Sequence, residues 1–369
     1  MKRIAVVYGT RPESIKLAPV IMELKKLPNI EVLVVVTAQH REMLDMMNRI
    51  FGITPDVDFD LMRERQSLED LSSRALKRLS SLYEEVEPDV VMVQGDTTTA
   101  FISALAAFYK RIPVAHVEAG LRTNDKYSPF PEEINRRLIS HLATFHFAPT
   151  AKAAENLARE GITENVWITG NTVVDALLWM TREKRAELDT AFSKFLPNFN
   201  CGSRVLLLTM HRRENWGEPM KKALKAIRQV VEKEDDLLMV YPVHPNPVVK
   251  KIAFEVLKGV PNIVLTDPLD YLTLIAVMSR SCAILTDSGG IQEEAPSFGV
   301  PVLVLRETTE RPELIENGFG KLVGTDPVRI TEELKKLLRG EFSPEGKGNP
   351  FGDGKASKRI VEALVSHFR

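Results

Sequence analysis

The sequence predicts an α/β protein built as two Rossmann-like, doubly wound domains facing a cleft. Three observations predict it. Short Val/Ile/Leu-rich runs alternate with amphipathic helical stretches from end to end. Several of those runs are almost continuously apolar, as parallel strands covered on both faces must be. The series also restarts past the middle of a 369-residue chain, a length that suits two domains of roughly 150–200 residues.

In the first half the expected strands are residues 4–8, 32–37, 90–94, 114–117, 145–148 and 166–168. In the second they are 205–209, 237–243, 262–265, 282–286, 302–305 and 321–323. Each is bounded by turn residues or by the start of a helical pattern. A charged, helical stretch from 172 to 200 separates the series and ends in Pro197-Asn198-Phe199-Asn200-Cys201-Gly202. The boundary is placed there. A last helix, 355–369, follows a Gly/Pro-rich loop at 341–354 and can cross back onto the first domain. The expected N-terminal domain is therefore 1–171 plus 355–369, and the C-terminal domain 172–354.

Hydrophobic residues make up 44% of the chain and charged ones 27%, the balance of a globular protein with substantial cores. Lys plus Arg number 49 against 50 Asp plus Glu, so no global field favours nucleic acid or an anionic membrane, and neither is expected as a partner. Cys201 and Cys282 make no metal spacing and read as thiols of a reducing compartment. The apolar run after Met1-Lys2-Arg3 ends at Gly9, too short for a signal-peptide core, and no segment reaches membrane-span length. A cytoplasmic location is expected. Dinucleotide fingerprint, P-loop, metal-ligand spacing and nucleophile elbow are all missing, so no metal or cofactor is expected.

Candidate chemistry gathers where strands end. Thr286-Asp287-Ser288-Gly289-Gly290-Ile291-Gln292-Glu293-Glu294-Ala295-Pro296 reads as strand end, turn and short helix. Two glycines let backbone N–H groups approach an anion, and Glu293 and Glu294 can accept from hydroxyls. An ordinary turn with Ser288 capping a helix explains the same letters. Pro296 cannot bond to the carbonyl of Gln292, so that helix is short or kinked. Gly9-Thr10-Arg11-Pro12-Glu13-Ser14-Ile15-Lys16 puts Arg11 and Lys16 at a helix start, where the dipole prefers anions. Two cations there suggest an anionic ligand. Asp96 or a neighbouring threonine suits an N-cap after the strand at 90–94. Alternation puts His116 and Glu118 on one strand face, with a structural His–carboxylate pair as the plain alternative. Glu132 and Arg136 have the i, i+4 spacing of a surface pair. In the second half, Met210-His211-Arg212-Arg213-Glu214 and His244-Pro245-Asn246 follow neighbouring strands, and Arg311 follows another.

Taken together, Gly9–Glu13 with Lys16, Gln94–Thr97, His116–Thr123, Pro131–Arg136, His211–Glu214, Thr286–Pro296 and Thr308–Glu313 resemble the non-hydrolysing UDP-N-acetylglucosamine 2-epimerases of bacteria. The blocks run in order from the first strand to about Gly324. The resemblance implies a GT-B fold, UDP-GlcNAc and UDP-ManNAc as substrate and product, and a homodimer. It implies that Arg11, Ser288, Gly289 and Gly290 bind the diphosphate, that Glu294 takes the ribose hydroxyls, and that Arg311 lies by the nucleotide. Lys16, Asp96, Glu118, Glu132, Arg136 and His211 match catalytic positions. A second UDP-GlcNAc as activator would engage Gln39, Arg65, Arg212 and His244 together with Glu132, although Glu42 stands where some relatives have glutamine. The expected reaction is reversible epimerisation at C2 through UDP elimination, a 2-acetamidoglucal and UDP re-addition. The same residues also suit a GT-B glycosyltransferase, a hydrolysing epimerase or a non-catalytic UDP-sugar sensor.

Overall fold

The computed structural model describes residues 1–37, 41–61, 67–200, 202–342, 344 and 348–368, the side chains of 41–43 excepted. Among them lie two compact units, Met1–Ala176 with Phe351–Arg369, and Leu177–Pro350. Cys201, Gln39 and Arg65 fall outside the described residues.

The first unit is built on a seven-stranded parallel sheet. Its strands are β1 (Lys2–Tyr8), β2 (Ile30–Val36), β3 (Val57–Asp58), β4 (Val90–Gln94), β5 (Val114–Val117), β6 (Phe145–Ala148) and β7 (Val166–Ile168). Their spatial order is β3-β2-β1-β4-β5-β6-β7. The second unit carries β8 (Arg204–Thr209), β9 (Leu237–Pro242), β10 (Ile263–Thr266), β11 (Ser281–Thr286), β12 (Val302–Val304) and β13 (Gly320–Leu322), in the order β10-β9-β8-β11-β12-β13. Both are doubly wound Rossmann-like sheets, a pairing of units consistent with the GT-B class. The continuously apolar runs are the central strands: β4 is buried along its whole length, as are five of the seven residues of β1. Val7, Val91, Val93 and Ile102 help form the core of the first unit, and Leu206, Leu208, Leu285 and Leu303 that of the second. Each such side chain contributes about 1.5–3 kcal/mol relative to its exposed state.

Twelve strands fall where the apolar runs put them, within two residues at each end. The thirteenth, β3, is too short to carry a pattern. It pairs Val57 with Val35 and is pinned by Asp56, whose carboxylate accepts from the Val34 N–H at 2.7 Å. Strand order reverses between β1 and β4 in one sheet and between β8 and β11 in the other. Crevices at such reversals, beyond the carboxyl ends of the strands, are where open α/β sheets bind ligands.

The chain leaves the first unit after Ala176, within the helix Thr172–Glu183, and returns at Phe351. The two crossings are tied together inside the first unit. The Asn171 N–H donates to the Phe351 carbonyl at 2.7 Å. Gly170 has φ +88°, and a Cβ there would lie 3.3 Å from Gly352 Cα, so the close approach needs glycine. Asp175 accepts from Ala356 N–H, Ser357 N–H and Ser357 Oγ, capping the final helix Ala356–Ser366. That helix packs on the helix Arg11–Leu24.

Candidate functional site

In the first unit the ends of β1, β4 and β5 carry the candidate residues. Thr10 occupies the N-cap of the helix Arg11–Leu24, so Arg11 lies within the first turn rather than before it. Glu13 holds this turn closed: its Oε2 accepts from the Gly9 N–H at 3.1 Å and the Thr10 N–H at 2.8 Å, and its Oε1 from Thr97 Oγ1 at 2.7 Å. Burial pushes the Glu13 carboxyl up to about 7 against those donors. Thr97, not Asp96, caps the next helix, Thr98–Tyr109, which leaves the Asp96 carboxylate free of that duty.

Asp96 is engaged by Arg136 in an ion pair, and Asn135 Nδ2 donates to its carbonyl at 2.9 Å. Burial raises the Asp96 pKa; Arg136 and Lys16 oppose that, while Glu132 reinforces it. The expected surface pair of Glu132 with Arg136 is not what Arg136 makes. It is 7% exposed and needs buried counter-charges, which Asp96 and, at 3.6 Å, Glu133 supply. Its Nε remains buried without a hydrogen bond.

The shared strand face predicted for His116 and Glu118 does not form. β5 stops at Val117, and Glu118 turns into the left-handed region at φ +67°. His116 instead bonds through Nε2 to the Gly95 carbonyl at 2.8 Å, and burial pushes its pKa down to about 3. It is a neutral core histidine. Glu118 is paired with Lys16 and accepts from Gln94 Nε2 and, at 3.0 Å, from Asn171 Nδ2. Lys16–Glu118 and Arg136–Asp96 are thus two cation–carboxylate pairs at the ends of adjacent strands.

In the second unit Ser288 takes the N-cap position of the helix Gly289–Glu294 without a side-chain cap bond; its N–H donates to Thr286 Oγ1 at 2.9 Å. Beyond Glu294 the chain tightens into a 3₁₀ turn, Ala295–Phe298, as Pro296 requires. A Cβ on Gly289 would lie 3.0 Å from Cζ of Arg311, so a larger residue there would push the guanidinium aside by a few tenths of an ångström. Arg311 is pinned there by Glu293, at 2.8 Å, and Glu310, at 3.1 Å. Burial alone would raise Glu310, but Arg311 and Arg306 outweigh it and hold that carboxyl at about 2. Glu294 is 7% exposed and accepts from the Tyr271 hydroxyl at 3.2 Å.

Asp287, wholly buried, organises the end of β8. It accepts from the N–H groups of His211 and Arg212, at 2.9 and 2.8 Å, and from Asn215 Nδ2 at 3.1 Å. Its other oxygen stands 3.3 Å from His211 Nδ1. Burial lowers the His211 pKa, Asp287 opposes this, and His244 and Arg212 add to the lowering. His211 and His244 stack with centroids 5.4 Å apart, and Arg212 reaches Glu310 at 3.5 Å.

Several residues of these two clusters escape a reading by motif chemistry alone. Glu13 had a readable signal, the Thr10-x-x-Glu13 capping-box spacing. Asp287 sits beside Ser288 yet reads as a generic turn residue, and Asn171 reads only as a cap before the helix at 172. Among the described residues no helix is long and apolar enough to cross a membrane, and no His/Cys/Asp/Glu group could hold a metal ion.

These features can be set beside known proteins. A family model described as UDP-N-acetylglucosamine 2-epimerase matches residues 22–365. The UDP-N-acetylglucosamine 2-epimerase of Bacillus subtilis is 49% identical over 100% of this chain and 97% of its own length. That of Escherichia coli O157:H7 is 48% identical over 99% of each. Among solved structures, the Neisseria meningitidis UDP-GlcNAc 2-epimerase bound to UDP-GlcNAc is 46% identical, with a TM-score of 0.92 over 99% of this chain and 100% of that one. The likeness spans both units and every strand end described above, and the chain belongs to the UDP-N-acetylglucosamine 2-epimerase family.

Proposed function

We propose that this enzyme, whose family inverts C2 of UDP-N-acetylglucosamine, works by eliminating and re-adding UDP. The C2 hydrogen is not next to a carbonyl, so direct enolate-type abstraction is closed to it. Heterolysis of the C1–O bond instead sends the electron pair to the β-phosphate oxygen and leaves C1 oxocarbenium-like. A carboxylate then takes the C2 proton, the C–H pair becomes the C1=C2 bond, and 2-acetamidoglucal results. A carboxylic acid returns a proton to the opposite face of C2, and UDP re-adds at C1 to give UDP-ManNAc.

The observation that carries this reading is the pair of carboxylates at the ends of β4 and β5, each held by a cation and by different further partners. Asp96, raised by burial, suits a group that holds a proton. Glu118, met by Lys16, Gln94 and Asn171, suits one that receives it. Two carboxylates at one site can divide the roles of acid and base between them. Glu132 is the third carboxylate, Arg136 fixes Asp96, and His211 assists departure of UDP. The Ser288, Gly289 and Gly290 backbone, Arg11 and Arg311 hold the diphosphate, and Glu294 the ribose. Preorganised donors around a developing phosphate charge contribute several kcal/mol to such a step. The likeness to a relative solved with UDP-GlcNAc bound supports the choice of nucleotide sugar.

Incubation with UDP-GlcNAc alone in D₂O tests it. Deuterium at C2 of intact UDP-sugars is the expected outcome. Free N-acetylmannosamine would mean hydrolysis, and unchanged substrate would mean a transferase or a sensor. Asp96→Asn, Glu118→Gln and Glu132→Gln should each lower kcat strongly; near-normal turnover in all three would sink the assignment. A second UDP-GlcNAc as activator, at Arg212 and His244, predicts sigmoidal kinetics that Arg212→Ala renders hyperbolic. A homodimer is supported by exposed Phe108, Tyr109, Ile134 and Leu138 on two helices packed together, and light scattering reads it directly.

A further inference from the structure

Asn171 touches the proposed machinery from a place no chemical motif marks. It is 3% exposed and stands immediately before the helix Thr172–Glu183. Its Oδ1 accepts from the Val173 N–H at 3.0 Å, a helix-capping bond. That bond fixes which way the amide points, because an amide has one acceptor and one donor end. The donor end, Nδ2, is thereby aimed at Glu118 Oε1, 3.0 Å away. The backbone of the same residue is held too, its N–H on the Phe351 carbonyl at 2.7 Å. The side chain cannot turn without breaking both of its bonds, and the backbone that carries it is fixed independently.

Glu118 needs such a support. It lies just past the end of β5 with φ +67°, a backbone conformation unusual for a side chain of its size. Strand geometry therefore does not aim it. Its two other partners, Lys16 and Gln94, are longer side chains with more rotatable bonds than asparagine. A reacting group must be held to within about half an ångström of its productive position. Asn171 is the short, doubly anchored partner that can do this.

We propose that Asn171 is a positioning residue for the epimerisation: it holds the Glu118 carboxylate in its reacting orientation and ties it to the junction where the chain passes between its two units. This rests on Glu118 acting at the sugar, as proposed above. The two jobs of the side chain can be separated. Serine and aspartate both cap helices well, so Asn171→Ser and Asn171→Asp keep the bond to Val173. Serine is too short to reach Glu118, and aspartate turns a carboxylate oxygen toward it.

The experiment measures kcat, KM and the thermal midpoint for Asn171→Ser, Asn171→Asp and Glu118→Gln. The expected result is a kcat about tenfold lower for Asn171→Ser, the effect of losing one hydrogen bond to a charged group. The loss should be larger for Asn171→Asp, with KM within about twofold in both and the thermal midpoint unchanged in Asn171→Ser, which introduces no like charge. Wild-type kcat in both Asn171 variants beside an inactive Glu118→Gln would overturn the proposal. So would a kcat loss that merely follows a lowered thermal midpoint, since that is a capping effect. An active Glu118→Gln removes the reading on which the proposal stands.

Discussion

At Gly289 a single hydrogen atom keeps a cation in place. The Arg311 guanidinium lies where a side chain would go, with a virtual Cβ 3.0 Å from Cζ, 3.1 Å from Nη1 and 3.3 Å from Nε. Glu293 and Glu310 both pair with it, so an added Cβ must displace a guanidinium that two carboxylates hold. Gly289→Ala should therefore weaken UDP binding by about tenfold, the scale of one charge-assisted contact, while the helical φ of residue 289 costs the fold little. Calorimetric titration with UDP checks this; unchanged affinity would show that Arg311 is not a nucleotide ligand. The Ser-Gly-Gly turn and the short helix behind it were legible in the sequence. The tenant of the space above Gly289 was not, because Arg311 arrives from another loop and only the fold brings the two together.

The turn Met210–Trp216 is shaped less by its own residues than by one side chain from the neighbouring strand. Asp287 lies just past β11 and accepts three hydrogen bonds from the residues that follow β8, while Trp216 Nε1 closes the turn on the His211 carbonyl at 3.0 Å. Asp287→Ala would leave the partly buried N–H groups of His211 and Arg212 without their acceptor and Asn215 Nδ2 with only the Leu305 carbonyl. Each buried unpaired group costs about 1–3 kcal/mol, so a loss of about 3–5 kcal/mol is expected in urea unfolding, with turnover falling as His211 loses its seat. A loss under 1 kcal/mol would mean that water replaces the carboxylate and that the turn shapes itself. Strand pattern and length were legible because burial on both faces writes itself into apolar runs. The departures sit where tertiary partners decide. A two-residue strand such as β3 has no period, and β5 ends at Val117 as its apolar run does, so Glu118 falls beyond the strand and off the face its spacing implies.

Across the whole molecule, proton linkage separates stability from chemistry. Burial holds Glu13 up at about 7, from an ordinary 4.5, and holds His116 and His146 down at about 3 and about 4, from an ordinary 6.5. Between pH 4.5 and 6.5 the unfolded chain binds protons at both histidines that the folded chain does not, so they make stability rise with pH and fail on acidification. Glu13 acts in the opposite sense, because the folded chain keeps its proton up to about pH 7 while the unfolded chain releases it near 4.5. The slope of stability against pH equals about 1.4 kcal/mol per proton difference. Glu13→Gln removes the opposing proton, so its stability should rise more steeply than wild type by about that amount per pH unit in this window. His116→Gln should flatten the curve by a similar amount from pH 3 to 6.5. Comparing each variant with wild type cancels the other titrating groups, including Asp96 and Asp175, which burial also raises. Parallel curves for Glu13→Gln and wild type would show that the Gly9, Thr10 and Thr97 donors outweigh burial and keep Glu13 ionised throughout, as a fixed anion beneath the β1 turn.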